Sequence, residues 1–304
     1  MPRRSFPADA ALSTWTAPDG WAHRRFERAG AGRGRLLFLG GRADSIEKYL
    51  EALDEWHDRG WTVAAFDWRG QGGSGRTGTG DVGHLDDFAV LVRDLAAFWA
   101  QWRRDGEPCV VVAHSTGGYL ALAALVGGAI DPAALVLVAP MLGLRNPLGA
   151  WIGGGVARLI AGRGDLARAA WRERTVARAV RARQRRLTHD PSRFDDERWW
   201  YEHCSALRLG PPSWAWIVEA FAATAALRAD PRLAAVATPV QLLVADHDRL
   251  VDSRAARAVA ARLPHGELHR FGRDTAHEIL READPVRNHA LALIDAFLDR
   301  HAPA

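Results

Sequence analysis

Lysine is almost absent from this chain: of its 40 basic residues, Lys48 alone is not arginine. A net charge of +4 built this way is what a coding bias toward arginine would produce. No nucleic-acid-binding motif accompanies it, so nucleic acid is not an expected partner. Cysteine is scarce too. Cys109 and Cys204 cannot form a disulfide framework, and neither has metal-ligand spacing. No uninterrupted apolar run reaches the ~18 residues of a membrane span. The N-terminal stretch MPRRSFPADAALSTW has basic residues but no apolar region leading to a small-residue cleavage site, so no secretory signal is expected. Internal repeats and low-complexity linkers are missing as well. These absences favour a soluble, cytoplasmic protein.

What is present is material for a core. The chain has 304 residues, 48% of them hydrophobic, with 13 tryptophans. That suffices for one large domain, with or without an insertion. Short apolar runs rich in Val and Leu recur at residues 36–41, 62–68, 109–114, 134–140 and 240–246, with a less apolar one at 267–272. Helix-length segments at residues 45–59, 85–104, 117–127 and 253–263 separate them. Unalternating apolar runs suit parallel strands buried on both faces, so the pattern predicts a mostly parallel, doubly wound α/β sheet. The stretch HRRFERAGAGRGR, before the first such run, is expected to form an antiparallel hairpin at the sheet edge. Between about residues 143 and 226 the rhythm breaks, and arginine, alanine and tryptophan dominate. This interval is expected to be a helical insertion, or cap, leaving residues 1–142 and 227–304 as the core.

The most informative stretch is CVVVAHSTGGYLALAALVGG, which begins as a strand and ends as a helix. A side chain at such a junction points out of the sheet's carboxyl end only if the backbone turns sharply, and small residues on either side relieve the crowding. Ala113 and Gly117 flank Ser115 in this way. The following helix directs its N-terminus at the serine, so the Thr116 amide can donate to a developing oxyanion. The alternative, a serine that merely caps a helix, leaves the flanking small residues unexplained. Serine needs a base and an orienting acid, here expected in the order acid then histidine on loops after later strands. In LLVADHDRLVD, the spacing from Ala245 and to Val251 selects Asp248 over Asp246, which is left as a loop or cap residue. In FGRDTAHEIL, His277 follows a strand and opens a helix. His114 adjoins the serine, but its ring is expected to point away into neighbouring loops. The loop GGRADSIEKY should supply a second oxyanion donor, for which the Arg42 amide is favoured over a plain glycine turn. The Arg42 side chain is then left to pair elsewhere, for example with Asp44. DWRGQGGSG lacks the lysine of a phosphate-binding loop and reads as structural.

Together these residues resemble the α/β-hydrolase superfamily, and within it the lysophospholipase and monoacylglycerol lipase branch. The resemblance rests on GRADSIEKY, FDWRGQGGSGR, AHSTGG, DHDRLVD and AHEIL, which span residues 41–280; the insertion matches in position only. It implies Ser115 as nucleophile, Asp248 as acid, His277 as base and the Arg42 and Thr116 amides as oxyanion hole. No metal or organic cofactor is implied. Ala113 and Gly40 depart from the usual glycine and histidine, which bears on substrate preference more than on catalysis. The expected substrate is a lipid monoester such as a lysophospholipid or monoacylglycerol. Acyl transfer, amide cleavage and a non-catalytic binding protein are the alternatives. In the insertion, WRERTVARAVRARQRRL is expected to be a basic amphipathic helix carrying Trp171, Val176, Val180 and Leu187 on one side. Such a helix suits an anionic membrane surface, or packs on the core with a solvated arginine face. Trp199, Trp200, Trp214 and Trp216 either line an acyl-chain pocket or fill the cap.

Overall fold

The computed structural model describes residues 3–145, 162, 164–172 and 177–303. Eight strands form one sheet: β1 (Ala11–Thr16), β2 (Ala22–Arg28), β3 (Gly34–Leu39), β4 (Trp61–Phe66), β5 (Cys109–His114), β6 (Ala134–Val138), β7 (Val240–Ala245) and β8 (Gly266–Phe271). Their spatial order is β1-β2-β4-β3-β5-β6-β7-β8. Strands β4, β3, β5, β6, β7 and β8 run parallel, while β1 and β2 extend the edge antiparallel. The doubly wound sheet expected from the apolar runs is therefore present.

The edge differs from expectation. The hairpin lies upstream, between β1 and β2, and no turn joins β2 to β3 because β4 sits between them. The connecting chain crosses the start of β4 so closely that a side chain on Gly30 would come within 2.2 Å of the Trp61 carbonyl.

Each buried strand feeds two cores. Leu37, Leu39, Val111, Ala113, Leu135 and Leu137 point to one face, and Leu36, Phe38, Val110, Val112 and Val136 to the other. An apolar run without alternation is what period-2 side chains require when both faces are covered. Helices α2 (Ala89–Trp102) and α3 (Thr116–Val126) cover the first face; α1 (Leu50–Asp58) covers the second.

Among the described residues of the insertion, α4 (Ala177–Leu187), α5 (Pro191–His203) and α6 (Trp214–Ala229) are helical and no strand occurs. Helix α6 runs unbroken through residue 226, and its Ala220 and Leu227 both join the first core. The chain closes with α7 (Ser253–Ala260) on the first face and α8 (Asp284–His301) on the second.

The basic helix is shorter than its sequence pattern. Trp171 and Arg172 lie ahead of it, and Arg174 and Val176 fall outside the described residues. Leu187 is buried, whereas Arg178, Arg181, Arg185 and Arg186 are exposed.

Candidate active site

The carboxyl ends of the parallel strands converge, and the loops leaving them carry the expected residues, as open α/β sheets place their sites. Ser115 stands between β5 and α3 with φ 52° and ψ −116°. A β-carbon rarely tolerates this conformation. Hydrogen bonds hold it in place: the Ser115 amide donates to the Val138 carbonyl at 3.0 Å, and the Ser115 carbonyl accepts from the Met141 and Tyr119 amides. A side chain on Gly117 would stand 2.4 Å from the Gly40 carbonyl oxygen, so only glycine lets α3 start this close to the end of β3.

Asp248 follows β7 and His277 follows β8. The His277 Nδ1 lies 2.6 Å from Asp248 Oδ2, and its Nε2 lies 2.8 Å from Ser115 Oγ. A carboxylate only accepts, so Nδ1 carries the hydrogen and Nε2 is left to take the proton of Ser115. Asp248 is buried, and its Oδ1 accepts from the Leu250 and Val251 amides at 2.7 and 3.0 Å. Burial alone would raise its pKa, but the facing imidazole and these amides outweigh it and hold the carboxyl below the ordinary aspartate value. For His277, burial disfavours the imidazolium, yet Asp248, with Glu278 and Asp44 behind it, raises the ring above the ordinary histidine value. Asp246 is instead paired with Arg270 at the surface.

His277 is followed by a short 3-10 turn, Ile279–Arg281, where the sequence suggested a longer helix. Its loop is pinned from above, since the His277 and Glu278 amides donate to the Arg186 and Leu187 carbonyls at the end of α4.

The loop after β3 reaches over Ser115: a side chain on Gly41 would lie 2.8 Å from the Ser115 β-carbon. On either side of Arg42, the Gly41 amide donates to Asp44 Oδ2 at 2.6 Å and the Ala43 amide to Gln71 Oε1 at 3.1 Å. Gln71 also donates to the Gly41 carbonyl at 2.7 Å, so the glycine-rich loop that read as structural braces this one. The Arg42 guanidinium does not turn to Asp44. It donates to the Gly210 carbonyl and lies 5.5 Å over the Trp216 ring. Asp44 is engaged instead by the Gly41 amide, Lys48, Tyr49 and His114.

Val110, Val112 and His114 share one face of β5, so the ring turns away from Ser115 toward the neighbouring loops, as expected, and is buried there. Its Nδ1 lies 3.0 Å from Asp44 Oδ2 and 2.9 Å from the Tyr49 hydroxyl, and its centroid is 4.9 Å from that of His277.

The tryptophans divide. Trp216 packs on Phe88 beside Arg42, and Phe88 in turn meets Tyr119 of α3. Trp200 packs on Phe6, and Trp199 stacks on His203.

Residues 30–284 match the family described as serine aminopeptidase, S33. The chain belongs to that family. Lysophospholipase L2 of Escherichia coli (strain K12) is 31% identical over 288 residues, 88% of this chain and 80% of that protein. Probable lysophospholipase L2 of Haemophilus influenzae is 26% identical over 275 residues, covering 87% of this chain and 83% of its own length. Among solved structures, a soluble variant of monoglyceride lipase from Saccharomyces cerevisiae superposes with a TM-score of 0.78 at 18% identity, covering 98% of this chain and 97% of that one. The fold is thus that of the α/β-hydrolases, and the resemblance to lysophospholipases and monoacylglycerol lipases holds along nearly the whole chain.

Proposed function

We propose that the protein is a carboxylic ester hydrolase acting on lipid monoesters, lysophospholipids or monoacylglycerols, through a Ser115–His277–Asp248 triad. The observation that carries this reading is the pair of contacts made by His277, to Ser115 Oγ at 2.8 Å and Asp248 at 2.6 Å. His277 takes the proton of Ser115 as Oγ attacks the ester carbonyl, and the Asp248 carboxylate stabilises the imidazolium that forms. The tetrahedral oxyanion lies against the Arg42 and Thr116 amides. Collapse returns the proton from His277 to the departing alcohol, leaving an acyl-Ser115. Water, deprotonated by the same imidazole, then releases the fatty acid.

The family's description raises amide cleavage as a second reading, but the lysophospholipase relatives favour an ester. Residues 143–226 act as the cap over the core formed by residues 1–142 and 227–304. Trp216 and Phe88 offer the acyl chain an aromatic wall. Contact with an anionic lipid surface belongs to the same reading: Leu166 and Trp171 are 43% and 54% exposed, close in sequence to the exposed arginines of α4. Among the described residues no helix is long and apolar enough to cross a membrane.

A panel of lysophospholipids, monoacylglycerols, p-nitrophenyl esters and an aminoacyl p-nitroanilide tests the substrate class. Release of fatty acid, lost in Ser115→Ala with folding intact, is the expected result. Turnover retained in Ser115→Ala, or cleavage of the anilide alone, refutes it. Co-sedimentation with anionic vesicles should weaken as salt rises; indifference to salt removes the arginine helix from the account.

A further inference from the structure

In a sequence where arginine replaces lysine almost everywhere, the side chain of the one lysine is buried. Lys48 Nζ lies 2.6 Å from Asp44 Oδ1, 2.5 Å from Glu278 Oε1 and 3.6 Å from Glu197 Oε2. An ammonium with three donors suits three carboxylates converging on one point, which the planar fork of arginine does not. Each carboxylate belongs to a different part of the molecule. Asp44 holds the Gly41 amide of the oxyanion loop, Glu278 adjoins His277, and Glu197 is on cap helix α5. Arg281 bonds Glu278 and, at 3.1 Å, Glu197; Arg183 of α4 reaches Glu197 at 2.7 Å. The phenols of Tyr49 and Tyr201 border the cluster, Tyr49 on Asp44 and Tyr201 on the Ala43 carbonyl. Three cations face three anions. Burial opposes all of these charges, yet Lys48 stays firmly protonated and Asp44 and Glu197 stay ionised, because each offsets the others.

We propose that Lys48 and the cap residue Glu197 are positioning residues. They lock the oxyanion loop, the His277 loop and the cap into one unit, and they keep the charge behind the imidazole balanced. This rests on the triad reading above. The cap then contributes to the electrostatics of the site as well as to its roof. Around His277 the charged or titratable groups are Asp248 in front, Glu278 and Asp44 behind, and the His114 ring beside it. Loss of Lys48 leaves a surplus negative charge there, which favours the imidazolium. Loss of the Glu197 charge leaves a surplus positive one, which disfavours it.

The test is the pH dependence of kcat/KM, and of the rate at which a fluorophosphonate labels Ser115, in four proteins: wild type, Lys48→Met, Glu197→Gln and the double variant. The acid limb should rise in Lys48→Met and fall in Glu197→Gln, each on the order of 0.5–1 pH unit, the scale of one unit charge acting across a partly screened protein interior. The double variant should return it to the wild-type position. Lys48→Arg should keep the limb in place while lowering kcat, because it keeps the charge and loses the fit. Limbs that do not move, or that move the same way in both single variants, overturn the proposal, since loosened packing has no charge sign. Should Lys48→Met not fold, Glu197→Gln against wild type decides: a downward shift supports the proposal and a stationary limb overturns it. A wild-type protein that neither labels nor titrates would instead overturn the triad reading.

Discussion

Gly41→Ala places a methyl group between the loop after β3, which we propose carries an oxyanion donor, and Ser115. The new carbon would sit 2.8 Å from the Ser115 β-carbon and 3.1 Å from both Asp44 Oδ2 and His114 Nδ1. Carbon atoms rest at roughly 3.5–4.0 Å, so relief requires the loop to retreat by about 0.7–1 Å. Ser115 cannot yield, because its strained backbone is tied to β6 and to the Met141 amide. The retreat therefore falls on the loop that carries the Arg42 amide. A donor displaced by ~1 Å costs about 10²-fold in rate, and losing it entirely costs ~2.7–4 kcal/mol of transition-state stabilisation. Overpacking of this kind costs stability only about 1–3 kcal/mol. The assay is kcat and KM on a p-nitrophenyl ester beside a thermal melt. A kcat lowered about 100-fold, with KM changed far less and the melt still cooperative, is expected. A kcat within about threefold of wild type would refute the assignment of this loop to the oxyanion. Gly117→Ala makes the contrast: its methyl would meet the Gly40 and Leu39 carbonyl oxygens at 2.4 and 2.6 Å, backbone that cannot rotate aside, so that variant should fail to fold.

The pH profile carries its own sign. On the proposed mechanism hydrolysis needs a neutral His277, and because Asp248 raises that ring, the acid limb of kcat/KM should lie above the ordinary histidine value of about 6.5. Asp248→Asn removes the charge responsible, so the limb should move to lower pH while kcat drops by about 10⁴; an unmoved limb in a pH-rate series would contradict the pairing. Trp216→Ala should reduce kcat/KM for long-chain esters more than for acetyl esters, and equal losses across a chain-length series would show that Trp216 only supports the cap. Cys109 is buried, with burial raising its thiol above the ordinary value, while Cys204 is exposed. A thiol reagent should accordingly titrate one group in the native protein and two after unfolding, and two fast-reacting thiols would place Cys109 wrongly.

Local chemistry made much of this protein legible. A run such as Cys109–His114, apolar at every position up to its terminal histidine, has to be a strand covered on both faces. A serine between such a strand and a helix, flanked by Ala113 and Gly117, has to sit at a sharp turn. The order of Asp248 and His277 along the chain, each after a strand of a parallel sheet, brings them to the same edge because parallel strands end on one side. What only the tertiary structure decided depends on partners distant in sequence. The period-2 alternation that buries Val110 and Val112 also carries His114 inward, but only the tertiary placement of the loop after β3 and of the turn ahead of α1 supplies Asp44 and Tyr49 to receive it. The edge hairpin moved upstream because β4 inserts between β2 and β3, a matter of strand order rather than strand propensity. Two cap tryptophans parted, Trp216 of α6 to Phe88 and Trp200 of α5 to Phe6, because different helices carry them to different faces of the molecule. Nothing in the sequence around Lys48 marks it for burial. Its burial is tolerable only because Asp44, Glu197 and Glu278 arrive from three separate segments to surround it, and no periodicity encodes that meeting.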